Sequence, residues 1–556
     1  MRVVPAGLRR AAARLLTENK LFAAALVPAL LLRVDAELGY RWQSWFNDSF
    51  SYVASAVSLT LDPTRPSGYS VYLRLLEPFH SYALVTISQH VMGILVAVMI
   101  YALARHRFGA PAWVAVLFSL PVLYDGFEIQ LEHLIMADTL FLLLVMAAVT
   151  LLLWSPRPSW RVCLLAGLLL GLSAVVRATG LPLLAVFAVY LLIRLAPGRS
   201  GAGRRDWRRW SRLVVGVAAC GVAFALPVVS YEGWYDVQHG EFAMSDATGI
   251  FLYSRVMTFA DCSRMQLPVD LLPLCTTVPP DQRPVAQAYI WAEDSPLNRF
   301  PAPKFSPLPN KLAEEFAIKA IEAQPLAYAR VVFDDTWHAF AWTRTAFPNA
   351  ATYDEYLFGY HSLSVPPRDP TGGYSSAMAY YAQGDPSTVV VNPFAAAIRI
   401  YERYIWLPGT VYGLILLVGL CGIVLALLAR GTTPGTPARG DQSPRTPPGL
   451  LPWLCSVVLI VVPAATAEFD YRYVLTAVPF ACLAAALAFG SDTPGRRWLA
   501  RRGLGGTVAA NGGAVAVSGT VTGSAAGGAG SVAGGGLGDG TVEAGHDQRD
   551  FAPDSS

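Results

Sequence analysis

Charge is what this chain has least of. Only 15% of its 556 residues are Asp, Glu, Lys or Arg, and 54% are hydrophobic, whereas a soluble globular domain carries about 25% charged residues. The shortage excludes an ordinary soluble domain and points to a chain that crosses a membrane several times. Lysine is scarcer still: most of the basic residues are arginines, in short clusters beside apolar runs. That is where topology signals belong, so the formal net charge of +3 says little and no nucleic-acid partner is expected. A small-x-small cleavage site is missing after the basic segment Arg2, Arg9, Arg10, Arg14 and Lys20, so the first apolar run reads as a retained span. Cysteine is sparse, with seven in all, and only Cys262 and Cys275 fall outside apolar runs.

What is present is a series of apolar runs near the roughly 20 residues that cross a bilayer. They cover Leu21–Leu38, Tyr82–Leu103, Pro111–Tyr124, Leu134–Trp154, Val162–Val176, Thr179–Leu195, Leu213–Ser230, Pro408–Ala429, Leu450–Thr466 and Tyr473–Gly490. The expected fold is mainly α: a polytopic membrane protein with about ten transmembrane helices and an outer-face soluble domain between the seventh and eighth. With the N-terminus in the cytoplasm, the Arg clusters at 105–107, 157–161, 199–212, 430–445 and 496–502 all fall inside, as the positive-inside rule requires. Both termini are then cytoplasmic. The Trp42 loop, the Asp125–His133 loop, the Arg177 turn, the Tyr231–Leu407 region and the Glu468–Arg472 turn share the outer face.

The domains expected are a membrane module 1–230, an extracytoplasmic domain 231–407, a second membrane module 408–490 and a Gly/Ala-rich cytoplasmic tail 491–556. In the outer region, NKLAEEFAIKAIEAQP and LAYARVVFDDTWHAFAW have helical spacing, and the Pro-rich stretch 268–309 reads as loop. On an oxidising outer face Cys262 and Cys275 are expected to pair. The low-complexity tail from Gly503 has too little apolar bulk for a core.

The polar residues left outside these runs are few enough to weigh one by one. In WFNDSFSYVASA, Asn47, Asp48 or Ser49 can cap a helix whose apolar face, Phe50, Val53, Ala54, Val57 and Leu61, lies on the membrane surface. Capping alone would account for an acidic residue there; a catalytic carboxylate is the alternative. DGFEIQLEHLIMADTLFLLL brings Glu128, Glu132, His133 and Asp138 to the next outer loop. Asp138 stands at the head of a long apolar run, where a carboxylate is costly without a partner or polar cavity. Capping and solvation are the plain readings of these residues. Arg177 interrupts a hairpin of two spans on the side where the topology rule does not favour arginine, so it needs an anion, either a carboxylate or a lipid phosphate. Glu468, Asp470 and Arg472 crowd the outer end of the last span, where a structural ion pair is equally open. His90, deep in a span, reads as a helix–helix hydrogen bonder.

The order of several motifs resembles the GT-C superfamily, the polytopic glycosyltransferases that use polyprenyl-phosphate sugars, in its protein mannosyltransferase-like and aminoarabinose transferase-like branches. They are an acidic residue after the first span, RPSGYSVYLRLL, ADTLF, GLLLGLSAVVRATGL and YRYVLTAVPF. The resemblance covers about residues 20–195 and 408–490. It implies transfer of a sugar from a polyprenyl-phosphate donor to an acceptor hydroxyl on a cell-envelope glycan, lipid or protein, at the outer face of the cell membrane and with inversion. Asp48 and Asp138 are then the catalytic carboxylates, and Arg177, Arg472, Glu132 and His133 contact substrate or phosphate. A divalent metal is possible in such a family, but Asn47-Asp48 lacks its paired acidic motif, so the cofactor stays unknown. The alternatives are a polytopic transporter or lipid flippase, against which no internal repeat is visible, and a non-catalytic envelope assembly protein.

Overall fold

The computed structural model describes residues 19–196, 204–360, 369, 372–431, 446–491 and 493–502. The tail from Gly503, Arg2 to Arg14, Arg199, Arg439 and Arg445 lie outside them. The described residues belong to one compact unit. Among the described residues it is mainly helical, with one two-stranded sheet.

The chain begins with α1 (Lys20–Gly39), strand β1 (Tyr40–Arg41), α2 (Asn47–Ser58), α3 (Gly68–Leu76) and α4 (Tyr82–Ala102). Next come α5 (Ala112–Leu117), α6 (Leu120–Tyr124), α7 (Gly126–His133), α8 (Asp138–Trp154), α9 (Trp160–Val176), α10 (Leu183–Leu195) and α11 (Arg204–His239). The expected third span is therefore two short helices, broken at Phe118–Ser119 ahead of Pro121. The expected fourth begins only at Asp138, because residues 134–137 bridge two helices. At 36 residues α11 is about 54 Å long, well beyond the roughly 30 Å bilayer core.

Among the described residues four helical stretches are long and apolar enough to cross a membrane: Tyr82–Arg107, Ala178–Leu195, Trp210–His239 and Gly409–Ala429. Asp138–Trp154, Trp160–Val176, Leu450–Thr466 and Tyr471–Leu487 are apolar but shorter.

The region after α11 continues the helical pattern with α12 (Thr248–Val256), α13 (Ala288–Trp291), α14 (Pro307–Ala323), α15 (Pro325–His338), α16 (Ala350–Asp354) and α17 (Gly373–Ala382). Strand β2 (Val389–Val390) pairs antiparallel with β1, Tyr40 facing Val390. Then follow α18 (Phe394–Tyr404), α19 (Gly409–Gly431), α20 (Leu450–Thr466), α21 (Tyr471–Leu487) and α22 (Pro494–Arg501). The region between α11 and α18 divides by its packing. Residues 250–331 have a core of their own around Ile250, Tyr253, Phe316 and Leu271. Gly249 lets α12 and α14 approach so closely that a Cβ there would run into the Asn310 carbonyl. The bond expected between Cys262 and Cys275 is present. Tyr356, Met378 and Tyr381, by contrast, belong to the core shared with the apolar helices.

The cap of α2 differs from expectation. Phe46 is its N-cap, and its N–H donates to Ser49 Oγ at 2.9 Å, one half of a capping box. Asp48 lies in the first turn, where the helix dipole favours a negative charge, but its carboxylate is turned away from the backbone. Nor does α2 lie bare on a membrane: Phe50, Val53 and Leu61 are buried in the main core.

Candidate active site

Two groups of charged side chains stand at the ends of these helices. The first is built around Asp48. Its Oδ1 meets Arg65 Nη1 at 2.5 Å and its Oδ2 accepts from Arg472 Nη1 at 2.8 Å. Arg65 comes from the loop before α3, and Arg472 from the first turn of α21, 424 residues on from Asp48. Asp470 caps α21, accepting from the Arg472 N–H at 3.3 Å, while its other oxygen lies 3.1 Å from Arg472 Nε and accepts from Tyr356 Oη at 2.7 Å. Arg472 is thus held in one orientation by two carboxylates.

Arg177 enters the same group from the C-cap of α9, where an extended backbone ends the helix. It pairs with Asp138 at the start of α8. Its guanidinium carbon lies 5.3 Å from the centre of the Tyr473 ring, and that of Arg472 lies 5.4 Å from the same ring. Arg65 stands 5.5 Å from the Tyr52 ring. Asp138 is closed off at 1% exposure, but 18% of the Asp48 side chain, 18% of Arg65, 14% of Arg472 and 11% of Arg177 stay accessible. The arginines keep an open edge that an anion could reach.

The electrostatics follow from this geometry. Burial opposes ionisation of Asp48, but the Arg65 and Arg472 guanidiniums prevail and hold the carboxyl well below its usual range. Glu355, just past α16, accepts from Asn47 Nδ2 at 2.5 Å and from its N–H at 3.1 Å. Burial pushes Glu355 up to about 7 against those hydrogen bonds, and the charge of Asp48 adds to the rise. Two neighbouring carboxyls therefore differ widely in proton affinity, the pattern found where one site performs proton transfer.

The second group is sealed. Glu132 and His133, expected near the substrate, have no exposure, and α7 is a buried helix, not a solvated loop. Arg33 of α1 forks onto Glu132 at 2.7 and 2.8 Å and spends its remaining donors on the Ala29, Leu123 and Val122 carbonyls. His90 Nδ1 lies 2.8 Å from Glu132 Oε2, and His133 Nε2 lies 2.8 Å from the Tyr40 carbonyl. Burial, with His90 beside it, keeps the His133 ring down at about 3. Gly93 opens the space for this network, since a Cβ there would strike the Glu132 carboxylate. Glu128 is buried in the same helix.

The structure thus brings Asp48, Asp138, Arg177 and Arg472 into one group and gives Glu132 and His133 other partners. Sequence reasoning missed Arg65, Glu355 and Tyr473 in the first group and Arg33 and Glu37 in the second. Arg65 opens the motif RPSGYSVYLRLL, which was one usable signal. Glu355 carries none, being one acid among many in the long polar region between the apolar runs.

No family model and no curated protein matches the chain. Among solved structures it is similar to the S. cerevisiae protein O-mannosyltransferase Pmt1-Pmt2 complex bound to the sugar donor, at 18% identity and TM-score 0.33, covering 40% of this chain and 34% of that one. It is similar to ArnT from Cupriavidus metallidurans in the apo state, at 15% identity and TM-score 0.31, covering 86% and 77%. A third likeness is to the archaeal oligosaccharyltransferase AglB from Archaeoglobus fulgidus, in complex with an inhibitory peptide and a dolichol-phosphate, at 12% identity and TM-score 0.36, covering 89% and 52%. The chain therefore spans 34% of the length of the first and 52% of the third. At these values each is a likeness only, and what the site can do is read from its own side chains.

Proposed function

We propose that this chain is an integral-membrane glycosyltransferase that moves a sugar from a polyprenyl-phosphate donor to an acceptor hydroxyl on the outer face of the membrane. The observation that carries the reading is the convergence of Asp48 with three partly accessible arginines, Arg65, Arg177 and Arg472, where apolar helices end. Such a site offers a carboxylate for proton transfer and planar cations for a phosphate, beside lipid. The order of GT-C-like motifs supports it, and the positions of the Arg clusters support an outer-face site with both termini in the cytoplasm.

The donor's phosphate takes guanidinium edges from Arg65 and Arg472. Asp48, relieved of those charges, recovers proton affinity and accepts the acceptor hydroxyl's proton. The hydroxyl oxygen forms its bond to the anomeric carbon as the bond from that carbon to the phosphate oxygen breaks, with inversion. The lipid phosphate departs with the bonding pair, and Arg177 and Arg472 stabilise its charge. Its second pKa of about 6 lets it leave without a strong general acid. Asp138 orients Arg177, and Glu355 stands as the second proton acceptor beside Asp48.

The test is transfer from a panel of polyprenyl-phosphate sugars in proteoliposomes. Asp48→Asn should abolish turnover in a protein that still folds and still binds donor. Full turnover by that variant would remove Asp48 as base. If Glu355→Gln abolished turnover instead, the proton would go to Glu355.

A further inference from the structure

We propose that Glu37, His90 and His133 form a binding site for one transition-metal ion of the zinc class, separate from the Asp48 group. The three residues come from the last turn of α1, the middle of α4 and the last residue of α7. His90 Nε2 lies 3.3 Å from His133 Nδ1, and Glu37 Oε1 lies 3.6 Å from the first and 3.7 Å from the second.

The hydrogen bonds around the two rings decide their tautomers. His90 Nδ1 faces a Glu132 carboxylate already clamped by Arg33, and an ionised carboxylate only accepts. The proton of His90 therefore sits on Nδ1, and Nε2 presents a lone pair. His133 Nε2 faces a backbone carbonyl, which also only accepts, so Nδ1 presents a lone pair as well. Two lone pairs then point at each other across 3.3 Å, an arrangement that calls for a cation between them.

Glu37 supplies a second, independent sign. Both of its carboxylate oxygens are buried and accept no hydrogen bond. The neighbouring Thr86 hydroxyl also faces Glu37, but its single proton is contested by the Trp42, Tyr82 and Ala83 carbonyls. Arg33, the nearby cation, is committed to Glu132 and to carbonyls. A buried carboxylate without a cation of its own is costly, and an ion at the meeting point of the three residues would neutralise it.

The spacing suits a small tetrahedral ion. Bonds of about 2.0–2.1 Å at tetrahedral angles set ligand atoms about 3.3–3.4 Å apart. The His–His separation already has that value, and the two Glu37 separations need to close by a few tenths of an ångström. Two imidazoles and one carboxylate favour zinc-like ions over magnesium or calcium, which prefer oxygen ligands alone. Outer partners that orient ligating histidines, a carboxylate for one and a carbonyl for the other, are in place. The ion would also tie α1, α4 and α7 together beneath the segment leading to Asp48: Ser44 bonds the His133 carbonyl at 3.0 Å.

The proposal is tested on the full chain in detergent, without an activity assay. The protein is stripped with a chelator, incubated with zinc or cobalt, freed of excess and measured by elemental analysis. The expected result is about one equivalent per chain, a visible tetrahedral cobalt spectrum and a melting temperature raised by the metal. Glu37→Gln and, separately, His90→Gln should each weaken binding at least tenfold while keeping the elution profile of the wild type. Should His90→Gln fail to fold, Glu37→Gln, which keeps the side chain's shape, carries the test alone. Wild-type protein that keeps no ion and shows no cobalt spectrum would overturn the site, as a proton shared among the three side chains would then explain the geometry. Binding untouched by Glu37→Gln but lost with Asp48→Asn would overturn it too.

Discussion

The two charged groups hold similar residues and treat them in opposite ways. Around Asp48 the side chains of Arg65, Arg177 and Arg472 each keep an accessible edge. Around Glu132 the carboxylate has no exposure and Arg33 is saturated by bidentate and carbonyl hydrogen bonds. A surface-connected pair costs little to open, whereas a sealed pair leaves an uncompensated charge when one partner goes. Exposure, more than residue type, therefore separates the group suited to chemistry from the one that holds helices together.

Substitutions should break that symmetry in order of size. Asp48→Asn is expected to lower sugar transfer by about 10²–10⁴-fold, measured on reconstituted protein, with some loss of stability because Arg65 and Arg472 lose their shared carboxylate. Glu132→Ala should do the reverse: it strands Arg33 and costs about 3–5 kcal/mol of stability, read by denaturation in detergent. A variant as stable as the wild type would mean that the second group is not a structural lock. If Arg65 holds the donor phosphate as proposed, Arg65→Ala should raise the donor's KM by about 10–100-fold, the equivalent of about 1.5–3 kcal/mol, with a smaller change in kcat. Joint replacement of Cys262 and Cys275 by serine should cost about 3 kcal/mol. Proteolysis within 248–331 would rise and transfer would persist, because that core is separate from the one carrying Asp48.

The smallest effect is in pH. Burial and the charge of Asp335 push Glu468 up to about 7 from 4.5. The folded state thus binds this proton more tightly than the unfolded chain. The associated stability is complete below 4.5 and is lost as pH rises through about 7. Glu468→Gln should flatten that decline in melting temperature between the two values. A parallel curve would assign the pH dependence to Glu355 or Glu402, which are raised in the same direction.

Much of the helical pattern was legible. The boundaries of α1, α9 and α14, and the pairing of Cys262 with Cys275, follow from apolar runs, proline positions and the place of both cysteines outside the apolar runs. Asp48, Asp138, Arg177 and Arg472 stood out because each charge sits at the end of an apolar run, where it is expensive unless it is used. Glu132 and His133 stood out for the same reason and proved to be enclosed, since a loop's distance from the membrane says nothing of what folds over it. The broken third span escaped notice because mean hydropathy is blind to a local bend.

Apolar runs and their flanking arginines alone determine a mainly helical chain with membrane-length segments, because hydropathy is a sum over neighbours in sequence. Which charges meet was settled only by the packing of helices. Arg472 reaches Asp48 across 424 positions, and Glu37, His90 and His133 converge from three helices. Those contacts depend on the relative rotation and depth of whole helices, quantities to which the spacing of residues along one helix is indifferent.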